Sequence, residues 1–327
     1  MRLRWGLVLF LLLAGACSSD SLPRSVTLST PKADQEGRVQ VGAKPWGIAL
    51  DPEAGLLYTA NEAANTVSVV DAESLKVVAK VPAGVGPTAV AVNPKTARVY
   101  AANAFSDDVT VIDAKDNTVV TTVKVGPSPS DVAVDLETNL VYVSSSRGSD
   151  ITVIDGESNA IADKLAVDAA SSGLALPAGT GTLYVAVPEA LKVVDLSTGK
   201  IVREASVPGR HGGLAVDPAA GLIYVTNLDD SSVSLVDLTS LDLIDSVPVG
   251  LVPRAVAVDP VGHRAFVANS FGDSVSVVDA ESRNVVATVP TGSKPWDIVA
   301  AEDGSLVYVA AAGTSEIWVL RAEDLSP

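Results

Sequence analysis

Seven copies of a segment close to 42 residues long, each with room for four short strands and none with a helical period, predict an all-β fold: a seven-bladed β-propeller with four antiparallel strands per blade. Three sets of positions recur in phase. An aromatic stands at Tyr58, Tyr100, Tyr142, Tyr184, Tyr224, Phe266 and Tyr308, at spacings of 42, 42, 42, 40, 42 and 42, and this set contains all six tyrosines. A glycine ends each copy at Gly42, Gly84, Gly126, Gly209, Gly250 and Gly292, with Asp168 in the remaining place. An aspartate recurs at Asp71, Asp113, Asp155, Asp195, Asp237 and Asp279, and Arg321 replaces it in the last copy. No segment holds a 3.6-residue period long enough for a helical solenoid, and a β-helix repeats at a much shorter interval.

Taken in order, the chain opens on a targeting segment. Arg2 and Arg4 precede an apolar run over residues 5–13, too short to span a bilayer. Leu13-Ala14-Gly15-Ala16-Cys17 resembles a bacterial lipobox, with Ala14 where that motif usually has Leu. Ala14-Gly15-Ala16 also fits an ordinary A-x-A cleavage site, and both routes export the protein. Lipidation gives the only cysteine of the chain, Cys17, a reason to be there. The expected division is a signal peptide over 1–16, a lipidated N-terminus and tether over 17–36, the propeller over 37–321 and a C-terminal tail over 322–327. The tether is polar and carries Pro23 and Pro31; within it residues 25–30 alternate weakly, enough to pair on an edge. The expected location is the cell envelope: the periplasmic side of the outer membrane or the cell surface.

Within each copy the strands, lettered a to d, are bounded by turn chemistry. In the sixth copy they are expected at 254–259, 264–268, 274–279 and 284–290. Asp217-Pro218 and Asp259-Pro260 fit type I turns between strands a and b. The recurrent aspartate after strand c, followed three residues later by Ser or Thr in most copies, suits a side chain that caps its own turn. The last copy stops after strand c at Arg321, while an unassigned strand, Gly37-Arg38-Val39-Gln40-Val41, precedes the first. That strand is expected to complete the last blade beside Ile317-Trp318-Val319, closing the ring and removing two open edges.

Tyr224-Val225-Thr226-Asn227 spells the signature of the YVTN family of β-propeller repeats, and Tyr58-Thr59-Ala60-Asn61, Tyr100-Ala101-Ala102-Asn103 and Phe266-Val267-Ala268-Asn269 are variants of it. Over residues 37–321 the chain resembles the exported bacterial YncE-like proteins and the archaeal surface-layer relatives. The resemblance implies a seven-bladed propeller outside the cytoplasm. It implies no single function: members are mostly described as binding or surface proteins, and related propellers serve as subunits or domains of redox enzymes. The WD dipeptide and Gly-His pair do not recur from copy to copy as they do in WD40 blades; each occurs once, at Trp296-Asp297 and Gly262-His263.

Function is expected where the repeat is broken. The d–a and b–c loops share one rim, here the top, and the d–a loops crowd the channel mouth because strand a is innermost. Those loops supply Lys44, Trp46, Asp131, Arg210, His211, Arg254, Lys294, Trp296 and Asp297, the candidate ligand-binding residues. Removing Arg2 and Arg4 leaves 21 basic against 39 acidic side chains, a net charge of −18, so a basic and aromatic cluster stands out. It points to a small anionic or aromatic ligand, or an unknown partner protein, beside the membrane reached through the lipid anchor. The alternative is that the Pro-Trp pairs seal the seam between first and last blades while the charges are solvated. The acidic b–c loops, with Asp107-Asp108, Asp150, Asp229-Asp230, Asp273 and Glu316, lack a calcium-loop pattern and read as solvated. The fourth copy has a shortened b–c loop, Val187-Pro188-Glu189, expected to leave a notch in the top rim.

No catalytic residue, metal site or cofactor is expected. His211 belongs to the top rim and His263 to the bottom, separated by a strand length of about 17–20 Å. Asn61, Asn103, Asn227 and Asn269 recur with the repeat and are read as satisfying the b–c turn backbone. An enzyme or redox-complex subunit, lactonase-like or dehydrogenase-associated, remains the alternative to a binding module. A YncE-like binder of single-stranded nucleic acid, with Trp46 and Trp296 as stacking platforms, is a third reading that the acidity opposes.

Overall fold

Each copy is a set of β-branched and small-residue runs broken by aspartate-led turns, so the chain zigzags locally and pairs antiparallel. In the computed structural model, which describes residues 37–325, this produces seven four-stranded sheets, strands a to d lying in sequence order in the first six blades. The fifth blade comprises His211–Asp217, Leu222–Asn227, Ser232–Asp237 and Leu243–Pro248. The sixth comprises Pro253–Asp259, Arg264–Asn269, Ser274–Asp279 and Asn284–Pro290, within one residue of the expected bounds. The signal segment, Cys17, the tether and its residues 25–30 lie outside the described residues.

The ring closes as expected. An N-terminal strand, Arg38–Gln40, pairs antiparallel with the last strand of the seventh blade in the register Arg38↔Trp318, Val39↔Ile317 and Gln40↔Glu316. Successive inner strands touch around the whole circle, Pro295–Ala300 of blade 7 meeting Pro45–Asp51 of blade 1. Ala322–Leu325, the start of the expected tail, is a 3-10 turn whose Ala322 and Leu325 are buried against the blade 6 and 7 core.

The hydrophobic core is divided among the seams. Each of seven clusters joins the b and c strands of one blade to the a, b and c strands of the next, as where Tyr58, Val67 and Val69 meet Val90, Val99 and Ile112. Strands b and c are therefore buried on both faces, while the outer strands alternate and bury chiefly one residue, such as Val81 or Val123. The recurrent aromatic fills the seam: Tyr58, Tyr100, Tyr224 and Phe266 are all 0% exposed.

The recurrent aspartates cap their turns. Asp71 Oδ1 accepts from Ser74 N at 2.7 Å, Asp237 Oδ1 from Ser240 N at 2.7 Å, and Asp217 and Asp259 do the same between strands a and b. Two expectations need correction. The recurrent asparagines do not serve the b–c turn backbone through their amide donors; they reach across to strand c. Asn227 Nδ2 donates to Ser232 Oγ and Ser234 Oγ, both at 2.9 Å, and Asn61 and Asn269 repeat the pattern. This explains the glycine at Gly42, Gly84 and Gly250, where an added Cβ would run into Asn61, Asn103 and Asn269, at 2.7 Å from the Asn61 Cβ in the first case. The acidic b–c loops are not merely solvated either. Asp107 and Asp273 accept from the backbone of the following d–a loop, at Ser128 N (2.7 Å) and Lys294 N (2.8 Å), and Asp108 pairs with Lys124 at 2.9 Å. The loop of the fourth blade is a two-residue turn, Pro188-Glu189, between Thr182–Val187 and Ala190–Asp195. Glu189 N donates to Gly209 O, which ties this short turn to the next d–a loop.

Candidate functional site at the channel mouth

Two backbone devices build the mouth. The residue before each inner-strand proline is left-handed, with φ of 52° at Lys44, Ser128 and Val252 and 54° at Lys294. Its carbonyl turns toward the b–c loop and accepts that loop's first N–H, as from Glu62 to Lys44 at 2.8 Å and from Ala312 to Lys294 at 2.9 Å. The d–a and b–c loops thus share a rim. After the proline the ladder skips one residue: Pro45 pairs with Asn61 but Gly47 with Ala60, and Pro295 with Ala311 but Asp297 with Ala310. Such a bulge re-aims side chains. In chain order this position holds Trp46, Thr88, Ser130, Ser172, Gly212, Arg254 and Trp296, and the next holds Gly47, Ala89, Asp131, Gly173, Gly213, Ala255 and Asp297. All except Gly47 and Gly173 line one cavity of about 330 Å³ at the mouth.

One wall is a stack. The Arg254 guanidinium lies 3.8 Å from the Trp296 ring centroid, and Trp296 lies 4.4 Å from Trp46 with 5° between the planes. The stack crosses from blade 6 through 7 to 1, so the tryptophans do seal the closing seam, using one face of each against the other. Arg254 makes no hydrogen bond or ion pair through its side chain among the described residues, and its Nε is buried without a partner. Burial, and then the nearby charge of Arg210, lowers its pKa. The facing wall carries hydroxyls spent on neighbouring backbone: Thr88 Oγ1 donates to Pro129 O at 3.1 Å and Ser130 Oγ to Ser171 O at 2.8 Å.

Asp131 and Asp297 occupy equivalent positions and make equivalent bonds. Asp131 accepts from its own neighbour Val132 N and from Leu174 N of blade 4, both at 2.8 Å. Asp297 accepts from Ile298 N and from Ile48 N of blade 1, both at 2.9 Å. Each carboxylate staples its inner strand to the next. Burial among protein atoms pushes Asp131 up to about 7, with the charge of Asp297 adding and the bond from Leu174 opposing. Burial likewise pushes Asp297 up to about 6, against its two N–H donors. Both nevertheless keep part of their surface open along the cavity wall.

His211 replaces the inner-strand proline of blade 5 and is only 3% exposed. Its Nε2 sits 3.0 Å from Val207 O and its Nδ1 3.2 Å from Asn227 Oδ1, so both nitrogens face protein oxygens, to one of which the neutral ring donates. Burial lowers its pKa, against these two contacts.

Of the nine candidates, the structure brings Trp46, Asp131, His211, Arg254, Trp296 and Asp297 to one cavity. It leaves the other three out. Lys44 turns to Glu62 at 3.4 Å, Arg210 to Asp229 at 2.9 Å, and Lys294 sits 5.8 Å from the Phe271 ring. The left-handed turn gives Lys44 and Lys294 to the rim, and the local basic cluster shrinks to Arg254. Sequence reasoning missed Thr88, Ser130, Ser172 and the lip residue Phe105, which is 63% exposed. The first three were findable, as the residue after each inner-strand proline or its replacement. Among the described residues no group of three or more His, Cys, Asp or Glu comes together to hold a metal ion, and no helix is long and apolar enough to cross a membrane.

The model of the YNCE-like beta-propeller family matches residues 10–139 and 44–220, more than half of the 327-residue chain. The chain belongs to the YNCE-like β-propeller family. No curated protein matches it. Among solved structures this YNCE-like propeller is similar to a chain of Kuenenia stuttgartiensis hydrazine synthase, with a TM-score of 0.80 and 21% identity over 86% of this chain and 97% of that one. At that identity the likeness speaks for the fold alone.

Proposed function

We propose that this YNCE-like propeller is an exported, lipid-anchored binding module whose upper mouth holds a small anionic ligand against the Arg254–Trp296–Trp46 stack. One observation carries the reading: a part-buried guanidinium, held 3.8 Å over an indole, lining a cavity and without an acceptor among the described residues. Withdrawing a charge from water costs free energy that only a partner returns. A guanidinium fork is matched by carboxylate or phosphate oxygens in a charge-assisted pair. The tryptophans fix the fork in place, so binding orders little that is not already ordered.

The test is a calorimetric titration of the mature protein with small carboxylates and phosphates, repeated with Arg254→Met, which keeps the stem and removes the fork. Binding that weakens about tenfold or more in the variant is expected, from the worth of a charged hydrogen bond. Equal affinity in the two proteins refutes the proposal, as does no binding of any small carboxylate or phosphate compound, amino acids included. Support for the anchor comes from the order basic pair, apolar run, small residues and Cys17. Cys17→Ser should move the protein from the membrane fraction to the soluble envelope fraction, and an unchanged membrane fraction would rule the anchor out.

A further inference from the structure

We infer that the ligand of the mouth is a small zwitterion of the amino-acid class, its anionic group on Arg254 and its ammonium toward Asp131 and Asp297. The inference rests on the reading of the mouth as a small-anion site and adds the second charge. Three charged side chains on the cavity wall lack a counter-charge: Arg254, Asp131 and Asp297 take part in no ion pair among the described residues. His211 turns its two nitrogens to Val207 O and Asn227 Oδ1 and is itself only 3% exposed.

The two carboxylates are not a requirement of the repeat. At the same place the other five blades have Gly47, Ala89, Gly173, Gly213 and Ala255, so those seams close with no carboxylate there. Asp131 bridges blade 3 to 4 and Asp297 bridges blade 7 to 1, seams on nearly opposite sides of a seven-membered ring. They therefore flank one mouth from two sides, close enough for the charge of Asp297 to be felt at Asp131. Each carboxylate oxygen accepts one backbone N–H. A carboxylate oxygen has a second lone pair, and an ammonium has three donors to place.

The mixed charge then acts as a filter. A plain anion that reaches Arg254 must also face two carboxylates, and a plain amine must face Arg254. Only a molecule with both charges meets attraction on each side, and like-charge juxtaposition rejects the rest. A cavity of about 330 Å³ sits at the small end of ligand pockets, the scale of one amino acid. The indole wall and Phe105 at the lip offer apolar surface for its side chain.

The experiment uses the unaltered mature protein at about pH 8, where both carboxylates are ionised. Each of the common amino acids is titrated by calorimetry up to about 10 mM, then, for any that binds, the matching deaminated acid and decarboxylated amine. At least one amino acid should bind about tenfold or more tightly than both of its relatives, and Arg254→Met should abolish that preference over the amine. An acid that binds as well as its amino acid overturns the zwitterion while leaving the anion site standing. So does binding of simple carboxylates or phosphates with no amino acid bound. An amine that binds as well as its amino acid, or no binding by any compound, overturns both readings.

Discussion

Asp131 and Asp297 hold two roles that oppose each other. As staples they accept backbone N–H bonds from two blades, which favours the ionised form; as buried carboxylates they resist ionisation, and resistance wins. Their pKa values of about 7 and about 6 in the fold lie above the ordinary 3.8, so between these limits the folded protein holds protons that the unfolded chain releases. Their contribution to stability is thus complete at acid pH and is lost as pH rises through about 6–7. The turn-capping Asp71, Asp155, Asp195 and Asp237 run the other way. Bonds from Ser or Thr hold their pKa values down, so their contribution is present above the ordinary value and lost as pH falls below it. Melting temperature should therefore fall between about pH 5 and 7.5, and fall less steeply in the double variant Asp131→Asn, Asp297→Asn. Thermal unfolding by circular dichroism across that range checks this; parallel slopes would show that the mouth carboxylates do not carry the effect. In the sequence these two residues were legible as charges near the mouth. Their stapling was not, because it depends on a one-residue bulge that no periodicity reveals.

The asparagine at the end of strand b shows how one element registers another. Asn269 is fully buried and donates to Ser274 Oγ at 3.2 Å and Ser276 Oγ at 2.9 Å on strand c. The pairing is written into the repeat: Asn61 goes with Thr66 and Ser68, Asn227 with Ser232 and Ser234. The asparagine is lost in three copies: strand c carries Ala190 and Lys192 beside Val187 and Glu316 and Trp318 beside Ala311, whereas Asp150 and Thr152 persist beside Ser145. Read across strands, this spacing of five and seven residues exposes the bond in the sequence alone; read within the loop, it suggests a turn role, which the structure corrects. Asn269→Ala leaves two buried hydroxyls without a donor and should cost about 2–3 kcal/mol in urea denaturation. Asn284→Ala, on the exposed outer strand, should stay within about 0.5 kcal/mol. Similar losses in the two variants would return the buried asparagine to a passive place in the turn.

At the scale of the molecule, stability is a ring property, because each blade buries its aromatic against the next rather than within itself. The fold was legible for that reason: seven phased copies, one lacking its outer strand, and an orphan strand at the other end leave one arrangement with no open edge. The mouth was not, since the repeat says which residues are unlike their counterparts without saying which way each points. Closure then rests on three paired residues. Val39 is 8% exposed and packs with Leu57, Tyr308 and Ile317, so it belongs to the seam between the last blade and the first. Val39→Asp buries an unpaired charge there and should cost about 3 kcal/mol or more. Val78→Asp makes the same chemical change on the outer strand of blade 1, where Val78 is 56% exposed, and should cost no more than about 0.5 kcal/mol. Because opening one seam exposes the edges and apolar faces of two blades at once, the loss in Val39→Asp should come as a single earlier transition, with faster limited proteolysis across the whole ring. A variant that unfolds with the midpoint of Val78→Asp, or that loses only blade 7 to protease, would mean that the N-terminal strand decorates the propeller instead of closing it.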